Sequence, residues 1–225
     1  MRLLKKLHDM EDEMKDGHTL FPKHNADSLN AVKNYMQNRS DYFETMGDTI
    51  EQINRNNNVA TALFQGDVIL TKEQAKEILE DINESEGSGY KRQAFRDHTY
   101  PKSLWSKGVF YSFHLNTGNK ARRVFRKAAT LWSSETCINF KESNAATDRI
   151  NVIRGGGCWS NIGRLGGVQS LSLGQGCESV GTAAHEIGHA LGLFHTQTRH
   201  DRDITLHRQN ILVILELMRN IDTYQ

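Results

Sequence analysis

The spacing of apolar residues indicates a polar, largely helical first part of the chain. Residues 29–46 carry apolar and aromatic side chains in a helical stripe with one lapse. A second helix is predicted over 71–82, because Thr71 and Gln74 form a capping-box pattern at its start. Residues 63–70, LFQGDVIL, form a short extended segment between these helices. Four apolar residues share one face of the second predicted helix: Ala75, Ile78, Leu79 and Ile82.

The second part of the chain alternates between strand and helix patterns. An amphipathic helix is predicted over 120–135, and a further helix over 180–191. Glycines at 155–157 and 166–167 match neither phosphate-loop spacing, so we interpret them as turns. This order predicts an α+β domain with a twisted sheet. The predicted strands cover 108–115, 137–142, 149–154 and 167–174.

A stretch of small and polar residues separates the two parts. It reads ESEGSGYKRQAF and contains the dibasic pair Lys91-Arg92. We interpret it as an exposed linker in which a processing protease cleaves within residues 86–92. The sequence therefore predicts a first unit at 1–92 and a second unit at 93–225.

Composition narrows the classes of partner. The 225 residues carry a net charge of +1, which does not favour nucleic acid. The longest apolar run, ILVILELM at 211–218, is too short to span a membrane and contains Glu216. The first residues, MRLLKKLHDM, interrupt their apolar stretch with charges, so no export signal is expected in them. These features favour neither nucleic acid nor a membrane span.

Three histidines near the end of the second part have the spacing of a zinc site. His185 and His189 lie four residues apart and share one helix face. Gly192 favours a chain reversal that brings His195 back to the same point. Three histidines leave one position of a tetrahedral zinc ion open, which is typical of catalytic rather than structural sites. We expect one Zn²⁺ per chain.

Glu186 lies beside this histidine face and suggests the chemistry. It is about 100° around the helix from His185, so it reaches a water on the metal rather than the metal itself. Zinc lowers the pKa of bound water to about 7, and a carboxylate can move its proton. The alternative is a helix with solvent-facing histidines. The complete pattern H-E-x-x-H-x-x-G-x-x-H favours metal-assisted peptide hydrolysis.

The three cysteines leave two interpretations open. Cys158 and Cys177 lie in glycine-rich, turn-like surroundings that suit a loop-closing disulfide. An odd number leaves Cys137 unpaired within the chain. The alternative is three buried thiols.

Several stretches resemble the astacin family of metzincin zinc endopeptidases, and the nematode members are the most similar. HEIGHALGLFHTQTRHDRD resembles the zinc signature of the family, and FQGD at 64–67 resembles its prosegment motif. ETCINF, GGGCWSNIGR and GQGCESVGT resemble the stretches that lead to the zinc helix. The resemblance extends over roughly residues 60–212. It implies a metzincin-like twisted sheet with a long zinc-binding helix, preceded by a mostly helical prosegment.

The resemblance also implies roles for individual residues. Glu186 matches the general base, and Asp67 matches the prosegment aspartate that binds zinc in the latent enzyme. Gly66 would let the backbone approach the metal, although Gly66-Asp67 is also a common turn pair. Cys137 matches a cysteine whose partner lies near the carboxyl end of the family domain. The remaining matches are the zinc ligands His185, His189 and His195 and the disulfide pair Cys158 and Cys177.

The implied function is hydrolysis of peptide bonds in extracellular proteins or peptides by a secreted, initially latent enzyme. Two positions depart from the family pattern. Thr196 follows the third histidine where the family has a glutamate, and the Met-turn S-x-M-H-Y is not matched, since Met218 lies in a helix-like run. We therefore expect a chain that is incomplete at its carboxyl end. The alternative is a truncated, catalytically inactive zinc-binding protein that lacks the Met-turn.

Overall fold

The computed structural model describes residues 49–84 and 98–195, with side chains from 81 to 84 left out. The predicted stripe at 29–46, the linker at 86–92 and everything after 195 lie outside these ranges. The described part contains both the extended segment with Asp67 and the histidine helix. It therefore holds most of the residues predicted to form the site.

The first described range forms two helices joined by a short strand. Helix α1 spans Ile50–Asn56, and a single 3-10 turn at Ala60–Ala62 follows it. Strand β1 spans only Val68–Ile69, and helix α2 spans Lys72–Glu84. The capping box predicted at Thr71 is confirmed. The Thr71 amide donates to Gln74 Oε1 at 2.9 Å, and the Gln74 amide donates to Thr71 Oγ1 at 3.2 Å.

The second described range confirms the predicted alternation of strands and helices. The one strand that the sequence pattern missed is β5, whose residues Cys-Trp-Ser-Asn follow the glycines at 155–157 and lack a strand-like alternation. The elements are β2 (Val109–Phe113), α3 (Asn119–Glu135), β3 (Phe140–Glu142), β4 (Arg149–Ile153), β5 (Cys158–Asn161), β6 (Val168–Leu173) and α4 (Val180–Ala190).

The strands form one mixed sheet in the order β1-β5-β6-β4-β2-β3. Strands β6, β4, β2 and β3 run parallel to one another, whereas β5 runs antiparallel to β6. Strand β1 pairs in parallel with β5, with Val68 opposite Ser160 and Ile69 opposite Asn161. The first described range therefore covers the edge that β5 presents. This mixed sheet with its helices confirms the α+β class.

Two apolar clusters hold the described part together. The larger cluster fills the space between the sheet and helices α3 and α4, and it includes Phe125, Ile150, Leu171 and Ile187, all fully buried. A smaller cluster joins the first range to the second. Its members are Phe64, Val68, Ala75, Ile78, Leu79, Ile162 and Phe194. The predicted apolar face of α2, through its described residues Ala75, Ile78 and Leu79, thus packs on the second range.

Candidate metal centre

Helix α4 and the reversal after it place the three histidines. The Ser179 Oγ caps the helix by accepting from the Thr182 amide at 3.0 Å. Gly192 has φ of +102°, a conformation that other residues rarely adopt, and its amide donates to the His189 carbonyl at 2.8 Å. The chain therefore turns back within three residues, as predicted, and returns His195 to the face that carries His185 and His189.

The imidazoles of these histidines converge on one point together with the Asp67 carboxylate. The Nε2 atom of His185 lies 3.0 Å from His189 Nε2 and 3.1 Å from His195 Nε2. Asp67 Oδ2 lies 2.9 Å from His185 Nε2 and 3.1 Å from His195 Nε2. Oδ1 lies 3.3 Å from His189 Nε2. All four ligand atoms lie within 4.8 Å of one another, so the four residues form a group that is able to hold a metal ion.

The chemistry of this donor set fits zinc. A zinc ion with nitrogen ligands at about 2.0–2.1 Å has a tetrahedral edge of about 3.3 Å, close to these separations. The Nδ1–H of His189 donates to the Leu193 carbonyl at 2.7 Å, which leaves a lone pair on its Nε2. Asp67 Oδ1 is buried and has no hydrogen-bond partner among the described residues, despite its approach to His189. Facing lone pairs and an unpaired carboxylate oxygen call for a cation between them.

The electrostatics of the group favour an ionised Asp67 carboxylate and a neutral His185 imidazole. Burial opposes the ionisation of Asp67, but its interactions with the three imidazoles outweigh burial and hold the pKa of the carboxyl far below its ordinary value. Burial lowers the pKa of His185, against the opposing effect of the Asp67 charge. A neutral imidazole is the form that binds metals. The protonation states of Asp67 and His185 therefore suit zinc ligation.

Glu186 is fully buried beside the histidines. Neither of its carboxylate oxygens has a hydrogen-bond partner among the residues that the structure describes. Burial raises the pKa of Glu186 well above its ordinary value, and the charge of Asp67 adds to this effect. A buried polar group without a partner is costly, so the burial of this carboxyl does not stabilise the fold.

A tight turn delivers Asp67 to the histidines. The amides of Phe64 and Val68 each donate to the other's carbonyl, at 2.8 and 2.9 Å. Gly66 adopts φ of +91° inside this turn, and a Cβ on it would meet nothing within 4 Å. This positive φ favours glycine, whereas the close approach of Gly66 to the metal stays a prediction. The turn therefore places the Asp67 side chain in contact with the imidazoles.

Two tryptophans that the sequence did not single out fix the position of α4. The indole N–H of Trp132, on α3, donates to the Ala184 carbonyl at 3.0 Å. The indole N–H of Trp105 donates to the Ala190 carbonyl at 2.8 Å and so satisfies a carbonyl of the last turn. Neither tryptophan belongs to a motif, and only the tertiary structure shows their role.

The disulfide between Cys158 and Cys177 is present, with a Cα–Cα distance of 5.6 Å. It links the first residue of β5 to the loop before α4. Cys137 is an exposed free thiol. The alternative of three buried thiols is therefore wrong.

The sequence model of the astacin peptidase family matches residues 97–224. The chain belongs to the astacin family. It is 46% identical over 170 residues to zinc metalloproteinase nas-31 of Caenorhabditis elegans, covering 73% of this chain and 28% of that protein. It is 40% identical over 146 residues to zinc metalloproteinase nas-23 of the same nematode, covering 63% of this chain and 26% of that protein. Family membership and the four-residue group identify zinc as the cofactor.

The chain spans about a quarter of the length of these curated astacin relatives, since the matches cover 28% and 26% of them. Among solved structures it is similar to high choriolytic enzyme 1, a hatching enzyme zinc-protease from Oryzias latipes. The identity is 33%, the TM-score is 0.45, and the match covers 49% of this chain and 58% of that one. Within the described residues, no helix has the length and apolarity needed to cross a membrane.

Proposed function

We propose that this chain belongs to a zinc-dependent endopeptidase that hydrolyses peptide bonds in extracellular proteins or peptides and is made as a latent precursor. One observation supports both halves of the proposal. Three imidazole nitrogens and one carboxylate oxygen meet within 4.8 Å, and the carboxylate comes from a separate segment. The histidines supply a three-ligand site of the catalytic type, and Asp67 closes it.

In this proposal His185, His189 and His195 are the protein ligands of the active enzyme. Asp67 is the fourth ligand of the precursor, because its Oδ2 lies as close to two of the imidazoles as they lie to each other. While Asp67 is in place, the position that water and substrate need is filled. A tethered carboxylate thus keeps the enzyme inactive without a free inhibitor.

Glu186 is the proposed general base. A zinc ion held by the three histidines would supply a Lewis acid that acidifies water and polarises the scissile carbonyl. The carboxylate of Glu186 accepts the proton of the attacking water and passes it to the leaving amine nitrogen. Its complete burial next to His185 and its unpaired oxygens support this role.

Activation in this proposal requires removal of the first unit, residues 1–92, from the second, residues 93–225. A processing protease would cut within 86–92, at or near Lys91-Arg92. The Cys158–Cys177 disulfide supports an oxidising, extracellular destination, because disulfides persist there and are rare in the cytosol. The substrate class is proteins or peptides.

The test is Glu186→Gln in the full-length, processed protein. We expect one zinc per chain to remain, because the histidines are untouched, and hydrolysis of a fluorogenic peptide to fall by about 10²–10⁴-fold. Glu178→Gln, outside α4, is the control and should leave both values unchanged. Retained hydrolysis in Glu186→Gln would overturn the assignment of the base. Loss of zinc from that variant would show that the carboxyl supports the metal instead.

A further inference from the structure

The side-chain amide of Asn54, on helix α1, forms hydrogen bonds to two residues that are distant in the sequence, Gly66 and Cys158. Its Oδ1 accepts from the Cys158 amide at 2.8 Å. Its Nδ2 donates to the Cys158 carbonyl at 2.7 Å and to the Gly66 carbonyl at 2.8 Å. Both amide hydrogens and the oxygen are therefore engaged. The side chain is 0% exposed, so water competes for none of these bonds.

Asn54 takes the place of a pairing strand beside Cys158, which the two-residue strand β1 does not reach. Strand β1 pairs with Ser160 and Asn161 but leaves the backbone of Cys158 to the Asn54 amide. A side-chain amide that donates and accepts at one residue copies the double hydrogen bond of an antiparallel pair. Gly157 permits this approach, because a Cβ there would collide with Asn54 Oδ1.

The same amide bears directly on the position of Asp67. Gly66, whose carbonyl Asn54 holds, is the residue immediately before Asp67. Cys158 is fixed in turn by its disulfide to Cys177, just before α4. Asn54 thus connects the turn that carries Asp67 to the part of the sheet that is tied to the histidine helix. None of these three hydrogen bonds involves a metal ligand atom.

We propose that Asn54 is a positioning residue that anchors the Asp67 segment on β5 independently of the metal. The proposal rests on the proposed latency. Asn54 keeps residues 60–70 docked when zinc is absent, so the segment is held at two points, the Asp67 contact and the Asn54 amide.

Hydrogen exchange in the full chain tests this without any activity measurement. The probe is backbone protection of residues 60–70 with zinc bound and after zinc is removed with a chelator. We expect the parent chain to keep that protection in both states. Asn54→Ala should lose about tenfold or more in the metal-free state, because three buried hydrogen bonds disappear together and leave partners unpaired.

Two further variants separate anchoring from general stability. Asn57→Ala, in which the lost amide donates only to the Ile53 carbonyl of its own helix at 2.8 Å, should retain the protection of the parent. Asn54→Asp keeps the shape but loses both donors, so it should behave like Asn54→Ala even where a cavity would unfold the alanine variant. In both Asn54 variants, protection of β4 and β6 should stay within twofold of the parent.

The proposal is overturned if metal-free Asn54→Ala and Asn54→Asp protect residues 60–70 as well as the parent does. It is also overturned if protection of β4 and β6 falls by the same factor, because Asn54 is then a general stabilising residue. Failure of the latency proposal gives a different result: Asp67→Ala would then leave precursor activity unchanged, while the exchange difference at Asn54 would persist.

Discussion

The histidines and the aspartate of the metal centre reach the same point by different routes. The histidines lie within eleven residues of one another, on α4 and the reversal after it. Asp67 comes from 118 residues before His185 and 128 residues before His195. The histidine group is a product of local helix geometry. The position of the carboxylate depends on tertiary contacts, as the proposed latency requires.

The two regions also differ in how they are held. Helix α4 buries Ala183, Ile187 and Ala190 completely in the larger apolar cluster, so its position is part of the folding of the domain. The Asp67 segment relies on a smaller cluster, a two-residue strand and polar contacts. Apolar burial scales with area, so the smaller cluster stabilises less. In the proposed activation, the segment is therefore the part that would leave while the histidine site stays intact.

The largest expected effect is the loss of zinc when one of the three histidines is replaced. His189→Ala should reduce zinc from about one ion per chain to near zero at neutral pH, because two protein imidazoles hold zinc far more weakly than three. Elemental analysis of the purified protein measures this. His114→Ala, at an exposed histidine just after β2, is the matched control. Unchanged zinc in His189→Ala would disprove the ligand set.

The next largest effect concerns the disulfide that ties β5, the strand on which the Asp67 segment docks, to the loop before the histidine helix. The Cys158–Cys177 disulfide closes a loop with a sequence separation of 19. Its replacement by two alanines should lower the free energy of unfolding by about 3 kcal/mol on the chain-entropy estimate. Denaturant unfolding measures the loss, and Cys137→Ser, at an exposed free thiol, should change stability little. Equal unfolding midpoints for the double variant and the parent would contradict the role of this bond.

A smaller effect is expected from a substitution of Asp67, the ligand that comes from the distant segment. In the full-length precursor, Asp67→Ala should raise peptide hydrolysis before processing by about tenfold or more, since a buried carboxylate facing a dication contributes strongly. Glu73→Gln removes a charge from the exposed side of α2, the helix that follows the Asp67 segment, and should leave the precursor inactive. If unprocessed Asp67→Ala remains as inactive as the parent while the processed enzyme is active, steric blockage alone explains latency.

The features that the sequence predicted correctly are those that depend on local geometry rather than on tertiary contacts. The capping box at Thr71, the apolar face of α2 and the reversal at Gly192 depend on residues within a few positions of one another, and all are confirmed. Strand β5 was missed, because its four residues carry no alternation and its pairing with β6 and β1 decides its conformation. Local signals were therefore sufficient only where local contacts determine the structure.

The residues that support the site were the least predictable. Asn54 lies in a polar helix. The sequence gives no sign that its amide is buried and bonded to Cys158, 104 residues later. The close approach of Gly66 to the metal stays a prediction, and the structure adds that its backbone has a positive φ, which favours glycine. A single sequence records residue types, whereas such roles arise from which surfaces meet.

The smallest expected effect concerns Trp132, which positions the histidine helix from a neighbouring one. Trp132→Phe keeps an aromatic ring but loses the 3.0 Å bond to the Ala184 carbonyl, so stability should fall by about 1 kcal/mol. Because Ala184 precedes His185, the loosened turn should also release zinc to a chelator about fivefold faster, the factor equivalent to about 1 kcal/mol. Trp159→Phe loses a comparable 2.9 Å bond, to the Gly156 carbonyl just before its own strand, and should leave zinc release unchanged. If both variants release zinc at the parent rate, the hydrogen bond of Trp132 contributes to folding alone, and α4 needs no support from α3 to hold its ligands.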